Sequence, residues 1–467
     1  MITEIHYVST FITLFLVSYL GYYTAKNVKS SKDFAVGGRN LNGISVAGSI
    51  MATIVGGGST IGAAQLAFQT GVNAMWFTLG SSIACVFLGM FVAGPLRRAE
   101  VDTVSQFLAL TYGEYAAIAA SSITSFAIFI HITGQVLSSV AIMTSMFQVT
   151  EAVAVIITVG LIISYIFFGG FMGTSKVGIV KAFLLYFTLM ISGIICYKHF
   201  NGVSGLLSSF PKNPWLNLFS DGVGTAIAQG FSVVVGIVST QTYLLAVFAG
   251  ENEKESKKGV YISALLIPPI GLVSTLIGLY MRASHPNIIP KEALPSFILT
   301  YLDPWVGGIA IATMIISVIG TGAGLTLGIS TMINRDIYVK CMHPEADDKK
   351  QLFVLRTCVC VISILTIIMV FTNMNSLILK WGFLSMALRG TTIFIPLLGA
   401  LYFKGKVKKK AGVVAIVVAP ILSVLWGIFG IRGINALYIG LISSVILLIG
   451  GSMFLKEEEK VKVKEIY

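Results

Sequence analysis

Three consecutive glycines, Gly56-Gly57-Gly58, stand with Ser59 and Thr60 in the middle of a long apolar run. Glycine inside a helix costs about 1 kcal/mol relative to alanine, so three together favour unwinding. Unwinding within a membrane frees backbone carbonyls and amides, which then need a cavity, an ion or a solute to satisfy them. The half-helix restarting near Ser59 would aim partly positive amides into the gap, which suits a carboxylate. The competing reading is close packing, with the glycines admitting a neighbouring helix. A second small, polar stretch is Ser317-Val318-Ile319-Gly320-Thr321-Gly322-Ala323-Gly324. Ser317 and Thr321 offer the neutral oxygens that a hard cation such as sodium takes. Hydroxyls that bond their own helix carbonyls are the alternative there.

Charges inside apolar runs are functional hypotheses by default. Lys181 lies about one turn into its run, so it either works in the interior or snorkels to the near surface. Lys380 stands near a run end and is expected to snorkel. Arg389 is mid-run, and no acidic residue lies centrally in any run. Backbone carbonyls or a bound anion must therefore serve it. His131 and Gln135 are four residues apart and share one helical face, from which both reach a central cavity. His131 is read as a structural hydrogen-bonding residue or, alternatively, a proton relay. Another run carries Gly236, Gln229 and Gln241, the two glutamines being candidates to line a solute path. The next holds Pro268-Pro269, which must kink it or end a helical segment.

These residues need a scaffold, and composition names its solvent. Of 467 residues, 55% are hydrophobic and 11% charged, with a mean hydropathy of +0.88. A soluble chain of this size could not cover so much apolar surface. The runs are continuous rather than alternating, which excludes a membrane β-barrel. Thirteen runs are long enough to cross a hydrocarbon core of about 30 Å: 6–25, 43–70, 73–96, 114–146, 151–169, 177–197, 223–249, 260–281, 305–334, 353–373, 376–402, 411–430 and 434–455. The fold class is all-α and polytopic. Run 114–146 is too long for a perpendicular crossing and is expected to tilt or protrude. The first run has no basic flank or cleavage site and reads as a retained helix.

Lys and Arg set the orientation. Of 32, 24 fall in one alternating set of loops and the C-terminal tail, and five in the other set. That bias predicts a cell-membrane protein with its N-terminus outside and C-terminus cytoplasmic. It also accounts for the net charge of +12 without nucleic acid. The five cysteines show no zinc or disulfide spacing. Filter repeats, a continuous polar stripe, buried carboxylates and a soluble domain are all missing from the sequence. A channel, a redox pump and an enzyme are therefore disfavoured.

Several motifs in order resemble one family. Ser31-Lys32-Asp33-Phe34, with Gly37-Gly38-Arg39, is similar to the Ser-x-x-Asp-Phe…Gly-Gly-Arg loop of the sodium:solute symporters. Gly169-Gly170 precedes the sixth run, and Gln241 begins a helix end and charged loop of the same kind. Asp336-Ile337-Tyr338 closes the ninth run. Gly399-Ala400-Leu401-Tyr402-Phe403 before Ala411-Gly412 matches the turn into the twelfth run. Nearly the whole chain resembles this family, which includes bacterial proline, sialic acid and sugar symporters.

The resemblance implies a LeuT-like core of two inverted five-helix repeats, here 43–197 and 223–402, working by alternating access. Runs 6–25, 411–430 and 434–455 would lie outside that core. It implies a sodium site from Ala52 and Val55 backbone oxygens with Ser317, Gly320 and Thr321. Solute contacts would come from Gly57, Gly58, Ser59, His131, Gln135, Gly236 and Gln241. The implied partners are a small solute, Na+ or H+, and membrane lipid, with no enzymatic activity. Three positions depart from the pattern. Gly320 replaces a second hydroxyl, and Gly178 and Lys181 stand where many members carry Asp and Gln. An ammonium there would oppose sodium or replace it, so sodium symport has proton-coupled or uncoupled transport as its alternative. Backbone amides at Gly56–Gly58 favour a small carboxylate, an organic or amino acid, over a sugar, with Lys181 or Arg389 helping to neutralise it.

Overall fold

A lipid solvent leaves backbone polar groups only each other as partners, so the chain must be helical wherever it meets hydrocarbon. The computed structural model describes residues 2–25, 39–430 and 434–454, and their regular structure is helical apart from an isolated bridge between Leu41 and Gly250. In chain order the helices are α1 (Glu4–Ala25), α2 (Gly43–Ile54), α3 (Gly58–Thr70), α4 (Val72–Arg98), α5 (Val104–Tyr112), α6 (Glu114–Phe147), α7 (Glu151–His199), α8 (Gly202–Ser209), α9 (Val223–Val238), α10 (Gln241–Ala249), α11 (Glu253–Ser284), α12 (Ala293–Tyr301), α13 (Pro304–Met342), α14 (Asp348–Phe371), α15 (Ile378–Tyr402), α16 (Lys409–Phe429) and α17 (Ala436–Phe454). The loop 31–38, Arg432 and the tail lysines lie outside the described residues.

Ten helices among the described residues are long and apolar enough to cross a membrane. Two bent pairs, α2 with α3 at 62° and α9 with α10 at 47°, bring the number to twelve. The thirteen expected runs differ from this at α7. Its helix continues for 49 residues, joining runs 151–169 and 177–197 without a non-helical loop between them. It is not straight: Glu151 pairs with Lys291 at 2.8 Å and the His199 ring lies 4.9 Å from that of Tyr301, so both ends meet the same 291–301 stretch and the two runs form separate limbs. Its Val177–His199 part has the length of a full crossing, and Glu151–Phe167 is shorter.

Burial sorts the helices. The apolar middles of α6 and α13 are each 89% buried, so these two form the axis of the bundle. Those of α1, α16 and α17 are 28–33% buried and leave most of their surface for lipid. Pro268 and Pro269 do not end α11. Proline at 268 removes the bond that would satisfy the Ala264 carbonyl. Ser82 Oγ donates to that oxygen at 2.6 Å from α4, so the helix runs on.

Loop charges placed on one side by the sequence do meet there. Arg39 pairs with Asp102 at 2.9 Å, Lys257 with Glu253 and Lys340 with Glu114 at 2.7 Å, and Arg98 also reaches Glu253. The turn between α4 and α5 is clasped from within. Asp336, buried on α13, accepts from Thr103 Oγ1 at 2.9 Å and from Ser121 on α6. Helices elsewhere touch backbone to backbone through glycine. A Cβ on Gly278 of α11 would lie 2.3 Å from the Ala64 carbonyl of α3.

That contact gives a test of the packing. Gly278→Leu should lower the melting temperature of the purified protein, since overpacking typically costs about 1–3 kcal/mol. Gly450→Leu, where a Cβ meets nothing within 4 Å, should leave it unchanged.

Candidate functional site: the helix breaks

α2 stops at Ile54, and Val55 is extended at φ −87° and ψ 91°. Helix resumes at Gly58 as one wide π turn. Both readings of the glycines hold at once. A Cβ on Gly56 would stand 2.5 Å from Thr321 Oγ1 and 2.6 Å from Gln135 Oε1. On Gly57 it would stand 2.1 Å from Ser138 Oγ. The chain is unwound and pressed against α6 and α13, and at positions 56 and 57 only glycine fits.

Side chains satisfy the freed backbone. Gly57 N donates to Gln135 Oε1 at 2.9 Å. Ser59 Oγ donates to the Ile54 carbonyl and Thr60 Oγ1 to the Gly56 carbonyl, each at 3.0 Å. From α13, Ser317 Oγ donates to the Val55 carbonyl at 3.1 Å, and Thr321 Oγ1 to that of Ala52 at 3.0 Å.

Lys181 does not snorkel. It is 1% exposed, and its Nζ reaches the Ala52 carbonyl at 2.7 Å, the Ser317 carbonyl at 3.1 Å and Thr321 Oγ1 at 3.3 Å. Gly178, one turn earlier on α7, explains the missing acid. A Cβ there would lie 2.3 Å from the Gly48 carbonyl, so α7 packs on α2 with no room for a side chain. Gly320 faces the same region, its would-be Cβ 4.0 Å from the Ala52 carbonyl.

The second break lies at Ser239 and Thr240, between α9 and α10. Arg389 of α15 reaches it, fully buried. Its Nη1 donates to Thr240 Oγ1 at 2.7 Å and its Nε to the Ser385 carbonyl at 3.1 Å, while Nη2 is 3.2 Å from His131 Nδ1. A guanidinium only donates, so Nδ1 must accept and the imidazole proton sits on Nε2. None of the ion pairs among the described residues involves Arg389 or Lys181.

The model of the sodium:solute symporter family matches residues 34–419. This chain belongs to the sodium:solute symporter family. Among solved structures, a Na+-coupled sialic acid symporter in a substrate-bound outward-open state is 19% identical, with a TM-score of 0.82 over 97% of this chain and 98% of that one. Mhp1, a nucleobase-cation-symport-1 family transporter with bromovinylhydantoin bound, is 13% identical, with a TM-score of 0.60 over 90% and 93%. MhsT in complex with L-phenylalanine is 13% identical, with a TM-score of 0.55 over 86% and 98%. These likenesses carry the fold: an all-α membrane protein of the LeuT-like inverted-repeat type. As a sodium:solute symporter family member, the chain is a secondary transporter.

Within this family member, the expected residues divide into two clusters. Gly57, Gly58, Ser59 and Gln135 meet Ala52, Val55, Ser317 and Thr321 at the first break. His131 belongs with Arg389 at the second. Gly236 packs there against α15, its would-be Cβ 2.5 Å from Met386 Cβ. Gln241 stands apart. Its amide donates to the Asp102 carbonyl and accepts from Val104 N, both at 2.8 Å, tying α10 to the α4–α5 turn. Lys380 is exposed, as expected. Sequence reasoning missed Ser138 and Ser385, because a lone hydroxyl in an apolar run gives no signal until a partner is known.

Gln135 offers a clean test of the break. Gln135→Leu would leave the buried Gly57 N–H without an acceptor, a loss of about 1–3 kcal/mol. A lower melting temperature is expected, with Gln135→Glu, which keeps an acceptor oxygen, falling less.

Proposed function

We propose that this transporter carries a small carboxylate, an organic acid or amino acid, across the cell membrane by alternating access. Its N-terminus lies outside and its C-terminus in the cytoplasm, following the loop charges. One observation carries the substrate class: Arg389 is buried without a carboxylate partner. Burying a charge is expensive unless an opposite charge or strong hydrogen bonds offset it. Thr240, Ser385 and His131 engage Arg389 and the Tyr243 phenol lies beside it, all of them neutral groups, so its formal charge is left for a ligand.

The surroundings fit a small ligand. Gly58 is flanked by Phe77 and Leu379, each 3.5 Å from a would-be Cβ, and the amides of the restarting helix follow it. On the far side of Phe77, Gly382 faces His131 Nε2, 3.7 Å from its own would-be Cβ. On this reading Gly57, Gly58, Ser59, Gln135, His131 and Gly236 would contact the solute as the two breaks part. A sugar would call for several buried amides or carboxylates to meet its hydroxyls. Gln135 has its oxygen engaged by Gly57, and Gln241 is turned away at the α4–α5 turn. The two bent crossings are the elements whose angles can change while α6 and α13 hold the axis.

Uptake into proteoliposomes tests this with labelled monocarboxylates and amino acids, each competed by itself or by its uncharged amide. Wild type should take up a carboxylate and ignore the amide. Arg389→Gln should lose at least tenfold in uptake, about 1.4 kcal/mol, and Arg389→Lys should retain more. Transport of an uncharged solute, unaffected by Arg389→Gln, would refute the assignment.

A further inference from the structure

We infer that the Lys181 ammonium is a tethered cation, filling the place where a free coupling ion would sit against α2 and α13. The argument begins with what that place demands. α2 ends at Ile54, so the carbonyls of its last turn point into the gap at the partly negative end of a helix. Ala52 and Val55 supply two of those oxygens. α13 adds the Ser317 carbonyl and Thr321 Oγ1. Four neutral oxygens from two helices converge in a membrane interior, a setting that a single positive charge stabilises.

Lys181 supplies that charge from a third helix. Its Nζ faces three acceptors at 2.7, 3.1 and 3.3 Å. An ammonium has three N–H donors and no lone pair, so the pattern is saturated. A neutral amine has only two donors and would turn its lone pair toward an oxygen. Thr321 Oγ1 has the Ala52 carbonyl at 3.0 Å and the Val55 carbonyl at 3.4 Å to receive its proton, both of which leave its lone pair for the ammonium.

The same oxygens do not fit sodium while Lys181 is there. An ion bonded to Ala52, Ser317 and Thr321 would coincide with Nζ or press a second positive charge against it. Gly178 closes the remaining route. The backbone contact of α7 with α2 at Gly48 leaves no space for a carboxylate to balance two cations. The cross-link between α2 and α13 that a bound ion would provide is therefore built into the chain. It is present whether or not sodium is.

The test reads the site without any transported solute, so it stands or falls separately from the carboxylate assignment. Melting of the purified full-length protein is compared in sodium chloride and choline chloride at equal concentration, with binding of radioactive sodium measured in parallel. Wild type should melt alike in both salts and bind no sodium saturably. Lys181→Ala should melt lower in choline and recover as sodium, lithium or methylammonium is added. Lys181→Met, which fills the space without a charge, should stay low in every salt. Saturable sodium binding by wild type that Thr321→Ala abolishes would overturn the inference, and this arm needs no lysine variant to fold. A Lys181→Ala protein as stable as wild type in choline, or one that no small cation restores, also overturns it.

Discussion

An unwound backbone in the middle of a membrane has no water to turn to, and everything at the centre of this protein answers that constraint. Between Ile54 and Gly58 the helix gives up its own hydrogen bonds. Gln135, Ser59, Thr60, Ser317, Thr321 and Lys181 replace them from four directions. The partners come from α6, α7 and α13, so the break itself locks those helices together. An irregularity that would destabilise an isolated helix becomes the point on which the bundle is assembled.

Much of this was legible in the sequence because hydrocarbon imposes simple rules. Apolar runs gave the crossings, and loop charges put Arg39, Arg98, Lys257 and Lys340 on one side, where they pair. The glycine triplet located the first break. Its two readings, unwinding and close packing, are one arrangement in three dimensions, since the residues that need freedom also need to be small. The sequence did not separate them because each reading alone explains the composition.

Tertiary partners decided the rest. Lys181 stands a single turn from a loop, and spacing along the chain made the surface look as near as the core. The ligands that hold it inside are more than a hundred residues away. Pro268-Pro269 left a kink and an end to α11 both open because Ser82, which satisfies the orphaned Ala264 carbonyl, belongs to another helix. Gln241 looked like a solute contact, yet the turn at Asp102 and Val104 claims both ends of its amide. Gly178 read as a lost acid, and the backbone of α2 shows why none fits.

α6 carries Gln135 to the first break and His131 toward the second, four residues apart on one unbroken helix. Four residues of α-helix rise about 6 Å. The two breaks are therefore held apart by a rigid spacer rather than by loops or soft packing. On the proposed assignment, a solute that touched both the Gly57 side and the Arg389 side would be gauged against that fixed length, with α6 as the ruler for its size.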